Sequence, residues 1–231
     1  MSKYPRYAIY YVPAQDDALY RFGAELLGYD AFGGDSLPFP DGVVARVPDW
    51  RELTREPRVY GFHATLKPPF SLLPGTSEAE LRAACATFAA MPRPIPAIVP
   101  VVDAIDGFMA VLPAAPSDAL KTLAQACVET FDGFRAPLSA QDRARRKPEA
   151  LTATQLDHLD RWGYPYVMDE FRFHMTLTGR LPVERRAALL ALLREHFAAL
   201  DLAELTLDRI GLFRQDSATT PFQVIGHFAL R

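Results

Sequence analysis

What the 231-residue chain lacks narrows its function before any motif is read. It has two cysteines, Cys85 and Cys127. Two thiols make neither a disulfide framework nor a four-cysteine zinc site. Each lies in an apolar helical pattern, so both are expected to pack in a core. No apolar run approaches the length of a membrane span. The opening, Met-Ser-Lys-Tyr-Pro-Arg-Tyr, has no apolar core behind its charge and is not expected to act as a secretory signal. Together with the scarcity of cysteine, this makes the cytoplasm the expected compartment. There is no basic excess either. The 25 basic and 28 acidic residues leave a net charge of −3, which argues against a long nucleic-acid footprint. A small phosphate ligand needs only a few cations and stays open. No glycine-rich phosphate loop follows any strand-like segment, which argues against a dinucleotide fold or a phosphate-binding loop.

What is present reads as an ordinary folded chain, with 49% apolar and 23% charged residues. Its length suits one large domain or two closely joined lobes. Strands are predicted at residues 6–12, 60–66, 171–177, 205–213 and 222–230. A hairpin is predicted at 98–112 around Asp106-Gly107. Helices are predicted at 16–27, closed by Gly28, then at 77–91, 117–131, 152–162 and 184–196. Pro68-Pro69 is expected to stop the second strand. Residues 30–41 and the proline-rich stretch 91–100 read as loop and linker. Strands and helices mix without regular alternation, so the class is α+β, with antiparallel sheets covered by helices.

One short pattern occurs twice. Phe62-His63-Ala64-Thr65-Leu66 and Phe173-His174-Met175-Thr176-Leu177 both read Phe-His-x-Thr-Leu. Side chains on a strand alternate faces. His63 and Thr65 therefore share one face, with Phe62, Ala64 and Leu66 on the other. The second copy divides the same way. Each apolar set is expected to be buried and each polar pair to face an opening. Two such strands together present two imidazoles and two hydroxyls to one small ligand. That set suits phosphodiester cleavage without a metal or cofactor. One neutral histidine takes a proton from the attacking hydroxyl, and the other, protonated, gives one to the leaving oxygen. The threonine hydroxyls hold the non-bridging phosphoryl oxygens. The plain alternatives are two satisfied core histidines, or a metal site. For a metal, two histidines without a suitably spaced carboxylate or thiol are too few.

The doubled motif resembles the two-histidine (2H) phosphoesterase superfamily, which includes RNA 2′,3′-cyclic phosphodiesterases and 2′-5′ RNA ligase-like proteins. A longer resemblance covers Tyr60-Gly61-Phe62-His63-Ala64-Thr65-Leu66-Lys67-Pro68-Pro69-Phe70. It continues in Arg161-Trp162-Gly163-Tyr164-Pro165-Tyr166 and in the segment from Asp169 through His174 to Gly179. These strings are similar to the DUF1045 family of phosphonate-metabolism proteins. The resemblance implies a single bilobal domain over residues 1–231 with internal pseudo-twofold symmetry. Each lobe would be an antiparallel sheet backed by helices, with a cleft between them. It implies His63 and His174 as catalytic residues, and Thr65 and Thr176 as phosphate-binding ones.

Around the motifs, Lys67 stands four residues after His63 and, on an ideal strand, shares its face. Arg172 stands two before His174 and shares that face. Both are candidate phosphate-binding residues. The plain readings are a solvated lysine and an ion pair with a nearby acid. The basic run at Arg143, Arg145, Arg146 and Lys147 is either a solvated face or a grip over the cleft. Tyr10, Tyr11 and Tyr60 read as packing residues that also suit a cleft wall. His158, flanked by acids in a polar helix, reads as a surface residue. His196 and His227 carry no partner threonine.

The expected function is a cyclic phosphodiesterase acting on a small phosphorylated substrate. Nucleoside and ribose cyclic phosphates are the candidates, with a place in phosphonate breakdown implied by the family. A sugar-phosphate binding protein and an RNA-end enzyme are the alternatives. No membrane partner is expected.

Overall fold

A computed structural model describes residues 4–231. The first three residues of the opening segment lie outside the described ones. Among the described residues, nine strands run in chain order as β1 (Arg6–Tyr11), β2 (Ala64–Ser71), β3 (Ala97–Ile98), β4 (Pro100–Ile105), β5 (Phe108–Pro113), β6 (Met175–Thr176), β7 (Leu205–Thr206), β8 (Arg209–Gln215) and β9 (Gln223–Ala229). The helices are α1 (Ala18–Leu27), α2 (Asp41–Val44), α3 (Trp50–Leu53), α4 (Arg55–Arg58), α5 (Glu78–Ala90), α6 (Asp118–Phe131), α7 (Ala140–Ala144), α8 (Ala153–Trp162) and α9 (Val183–Ala198). The class is α+β. Seven strands form one antiparallel sheet in the order β4-β5-β6-β2-β1-β8-β9, and β3 and β7 form a two-stranded sheet. Among the described residues no helix is long and apolar enough to cross a membrane.

The helix ends follow their sequence signals. Asp17, Ser77, Ser117 and Thr152 each cap a helix through a side-chain oxygen, and Ser77 with Glu80 closes a capping box. Asp106 and Gly107 both take positive φ in a two-residue turn, so Ile105 pairs with Phe108.

β1 is apolar almost throughout because both its faces are covered. Tyr7, Ile9 and Tyr11 enter the main core, whereas Ala8, Tyr10 and Val12 enter a second cluster with Phe213 and Phe222. The main core lies under α5, α6 and α9, which pack on β8 and β9, on β2 and on β4 respectively. Phe62, Ala64, Leu66, Phe173, Met175 and Leu177 all belong to it. The apolar set of each motif is therefore buried on the core side, as alternation requires.

Two expectations about strands are corrected. Pro68-Pro69 does not stop β2, which runs on to Ser71. Tyr7 pairs with Phe70 and Ile9 with Lys67, so the register against β1 shifts across the two prolines, where bulging leaves no ladder donor to be missed. The strand predicted at 171–177 shrinks to Met175–Thr176, because a 3₁₀ turn at Met168–Glu170 leads into it and both neighbours pair with it only there.

Candidate active site

The two motifs meet at the middle of the large sheet. β2 and β6 are antiparallel neighbours, and their one paired position is Ala64 with Met175. These are the central residues of the two motifs. Stepping the register by one residue each way sets His63 opposite Thr176, and Thr65 opposite His174. Directly opposed residues of an antiparallel pair have Cβ atoms roughly 4.5–5.5 Å apart. The cavities follow the same crossing. One, of about 560 Å³, is lined by His63, Thr176, Thr178 and Arg180. The other, of about 240 Å³, is lined by Thr65, His174, Arg172 and Arg180. Phe108 and Tyr164 line both, so the two are halves of one cleft.

The imidazoles are held by the same device. His63 Nδ1 lies 3.0 Å from the Gly61 carbonyl oxygen, and His174 Nδ1 lies 2.7 Å from that of Arg172. A carbonyl only accepts, so each Nδ1 carries the hydrogen and donates it. In the neutral ring Nε2 then carries the lone pair. The Thr65 hydroxyl, 3.2 Å from His63 Nε2, donates to it. Gly61 reaches this position with φ +71°, where a side chain would be strained and its Cβ would meet the Ala31 methyl at 2.8 Å.

The rings sit in aromatic surroundings. Tyr10, fully buried, stacks on His63 with ring centroids 3.7 Å apart, and Phe108 tilts against His174 at 5.6 Å. Burial lowers the pKa of His63 from 6.5 to about 4. The Gly61 carbonyl opposes the shift, and the charge of His174 adds to it. His174 is also lowered, chiefly by burial. The Arg172 carbonyl counteracts this, the Arg172 guanidinium reinforces it, and Asp106 counteracts it.

The candidate cations fall out differently. Lys67 is 1% exposed, and its Nζ donates to the Val128 carbonyl and to Asp132 Oδ1, each at 3.0 Å. It lines neither half of the cleft. Tyr10 pairs with Thr65 and Ile9 with Lys67, so Leu66 is an extra residue in β2. That bulge breaks the period-two count from His63 to Lys67. Arg172 lines the His174 half, but its guanidinium is ion-paired with Asp106 at the hairpin turn. Its carbonyl is what orients the histidine. In the basic run, Arg143 pairs with Asp160 and Arg145 with Asp142, while the Arg146 guanidinium lies over the Tyr164 ring at 4.7 Å. His158 is buried, not superficial, with Nε2 3.2 Å from Asp169.

Sequence reasoning missed Arg180, Tyr164 and Phe108. A signal existed for the first. His174, Thr176, Thr178 and Arg180 continue the same alternation, and Arg180 lines both halves of the cleft. No group of three or more histidine, cysteine, aspartate or glutamate side chains suited to a metal ion occurs among the described residues.

Comparison with known proteins adds a family. The family model described as "Protein of unknown function (DUF1045)" matches residues 65–223. The chain belongs to the DUF1045 family. Thr65, His174 and Thr176 fall inside the DUF1045 match, and His63 lies two residues before it. Two curated relatives of this DUF1045 chain carry the name "Ribose 1,5-bisphosphate phosphokinase PhnN". That of Janthinobacterium sp. (strain Marseille) is 36% identical over 228 residues, covering 94% of this chain and 49% of the relative. That of Laribacter hongkongensis (strain HLHK9) is 31% identical over 192 residues, covering 83% and 44%. The chain thus spans about half the length of the curated relatives it matches. Among solved structures, E. coli LigT complexed with 3′-AMP aligns over 99% of both chains at 11% identity, with a TM-score of 0.40. The Agrobacterium tumefaciens protein ATU0111 aligns over 96% of this chain and 85% of its own at 13% identity, with a TM-score of 0.44.

Proposed function

We propose that this chain is a phosphodiesterase that opens a small cyclic phosphate by histidine acid–base catalysis, with no metal step. The observation that carries this reading is the paired geometry of the two imidazoles. Each has Nδ1 tied to a main-chain carbonyl, which leaves Nε2 as the ring's lone-pair nitrogen, and each lines the cleft beside the other motif's threonine.

His63, neutral over most of the pH range, takes the proton of the attacking water on Nε2. His174 is the acid. Asp106 lies on its side of the cleft and favours its protonated form, and a bound phosphate anion favours it further. As the water oxygen bonds to phosphorus, one ring P–O bond breaks. The His174 proton goes to the departing alkoxide. The product is a phosphomonoester beside a free hydroxyl, and the two histidines exchange protons with solvent to reset. Thr65 and Thr176 donate to the non-bridging oxygens. In the resting cleft Thr65 rests on the base, and it is released when water takes that position. Arg180, at the junction of the two halves, neutralises charge on the phosphoryl group.

The phosphorylated ribose in the relatives' name supports a ribose-based substrate, in keeping with a role in phosphonate breakdown. Their kinase activity is not proposed for this chain, which contains no Gly-x-x-x-x-Gly-Lys-Ser/Thr segment. Two buried cysteines without a disulfide fit a cytoplasmic setting.

The test is phosphorus NMR on nucleoside 2′,3′-cyclic phosphates and ribose 1,2-cyclic phosphate in excess EDTA. The His63→Ala, His174→Ala double variant is the control. Ring opening by the wild type alone is expected. If the double variant kept the activity, or if EDTA abolished it, the mechanism would be wrong. Line broadening without turnover would favour the binding-protein alternative.

A further inference from the structure

A third cavity, of about 200 Å³, adjoins the cleft and is unlike it in charge. Among the described residues, five cations line it: Arg6, Lys67, Arg135, Arg145 and Arg146. They come from four places in the chain, namely β1, β2, the segment after α6, and the residues after α7. Two carboxylates answer them. Asp132 takes Lys67 and Arg135, and Asp142 pairs with Arg145. Among the described residues, three positive charges stand in excess here, in a chain whose net charge is −3.

Two of these guanidiniums lack a carboxylate partner among the described residues. Arg6 donates to the neutral amide oxygen of Gln215 and lies over the Phe222 ring at 5.5 Å. Arg146 lies over Tyr164. Arg146 also lines the His63 half of the cleft, so one side chain is shared by the cationic cavity and the catalytic one. Cations left unneutralised in a concave site lower the free energy of an anion there, and a guanidinium fork matches phosphate oxygens in pairs.

We infer that this cavity binds a second, terminal phosphomonoester on the same small molecule whose cyclic phosphate lies between His63 and His174. The substrate class is then a sugar cyclic phosphate bearing a further phosphate, and the inference rests on the proposed reading of the cleft. A nucleic-acid strand is the less suited occupant. Its successive phosphates call for a basic track, whereas Arg143 of the same basic run does not line the cavity and is already neutralised by Asp160.

Two measurements test it. The first compares kcat/KM for adenosine 2′,3′-cyclic phosphate with and without a 5′-phosphate, in wild type, Arg6→Gln and Arg146→Gln. The wild type is expected to prefer the phosphorylated probe about 10–100-fold, and either substitution to collapse that ratio toward one. Equal turnover of both probes by the wild type would overturn the inference and leave the phosphodiesterase standing. So would an unchanged ratio in both variants. The second measurement is calorimetric binding of both probes to the His63→Ala, His174→Ala variant, which reads the cavity without turnover. If the wild type hydrolyses neither probe, the reading of the cleft falls. The binding preference, and its loss on adding Arg146→Gln, then decides the cavity alone. Tighter binding of a cyclic-ended oligonucleotide than of the phosphorylated mononucleotide, falling steeply with salt, would overturn the inference in favour of a nucleic acid. Circular dichroism of each variant, with Arg146→Lys as the charge-preserving comparison, separates lost recognition from lost folding.

Discussion

Ala64 pairs with Met175 across β2 and β6, and each is the middle residue of its own Phe-His-x-Thr-Leu segment. A local twofold axis therefore passes between them, normal to the sheet. On the core side it relates Phe62 to Phe173 and Leu66 to Leu177. On the open side it exchanges the two histidines and the two threonines. A second-strand residue thus completes each first-strand residue.

Replacing His63 or His174 with Ala is expected to lower turnover of the reactive cyclic phosphate by about 10²–10⁴-fold, the usual contribution of a general acid or base. Steady-state kinetics on each single variant, with thermal unfolding as a control, measures this. Full activity in either variant would remove that residue from the chemistry.

The pH dependence should be displaced toward acid. Both histidines titrate below 6.5 in the free protein, His63 at about 4. The base must be neutral and the acid charged, so kcat/KM should rise through the His63 value and fall again below 6.5. A bound phosphate anion raises the His174 pKa, so the alkaline limb of kcat should lie higher than that of kcat/KM. A kcat/KM profile flat from pH 4 to 8 would rule out this assignment.

The two threonines should not behave alike. Thr65→Val removes a hydroxyl that donates to the unprotonated Nε2 of His63, and so favours its neutral form. In that variant the His63 pKa should rise, moving the acidic limb of kcat/KM upward. In Thr176→Val, KM should rise while that limb stays in place. Imidazole proton shifts read by NMR would show the difference, and equal shifts in the two variants would contradict the hydrogen-bond assignment.

Lys67 should matter most to stability. Its ammonium is buried, and Asp132 is its ion-pair partner. Asp132→Ala leaves that charge uncompensated and should cost about 3–5 kcal/mol, whereas Lys67→Met, which removes the buried charge, should cost much less. Urea unfolding of both variants tests the order. The reverse order would mean that the pair is not buried as described.

The meeting of the two His–Thr pairs was legible in the sequence because it rests on alternation within five residues. So were the caps at Ser77, Ser117 and Thr152, and the hairpin at Asp106-Gly107, which depend on local geometry alone. The direction of Lys67, away from the His63 half of the cleft, was not legible because it depends on a bulge set by β1, far away in sequence. His158 was misread because its partner, Asp169, lies across a turn that no periodicity announces. Arg180 was overlooked although the alternation from His174 reaches it, because the strand itself ends at Thr176 and the face continues through irregular backbone. The cationic cavity gathers residues from four separate segments, a convergence that spacing along one chain does not reveal.

Tyr10 seats the His63 ring, and behind Tyr10 stand Phe213 and Phe222, at centroid distances of 4.8 and 6.2 Å. β1 pairs with β2 on one side and with β8 on the other. The seat of the first imidazole therefore reaches through one strand to the β8–β9 end of the sheet, so a substitution that loosens Phe213 or Phe222 is expected to disturb the His63 ring through Tyr10 without touching the cleft itself.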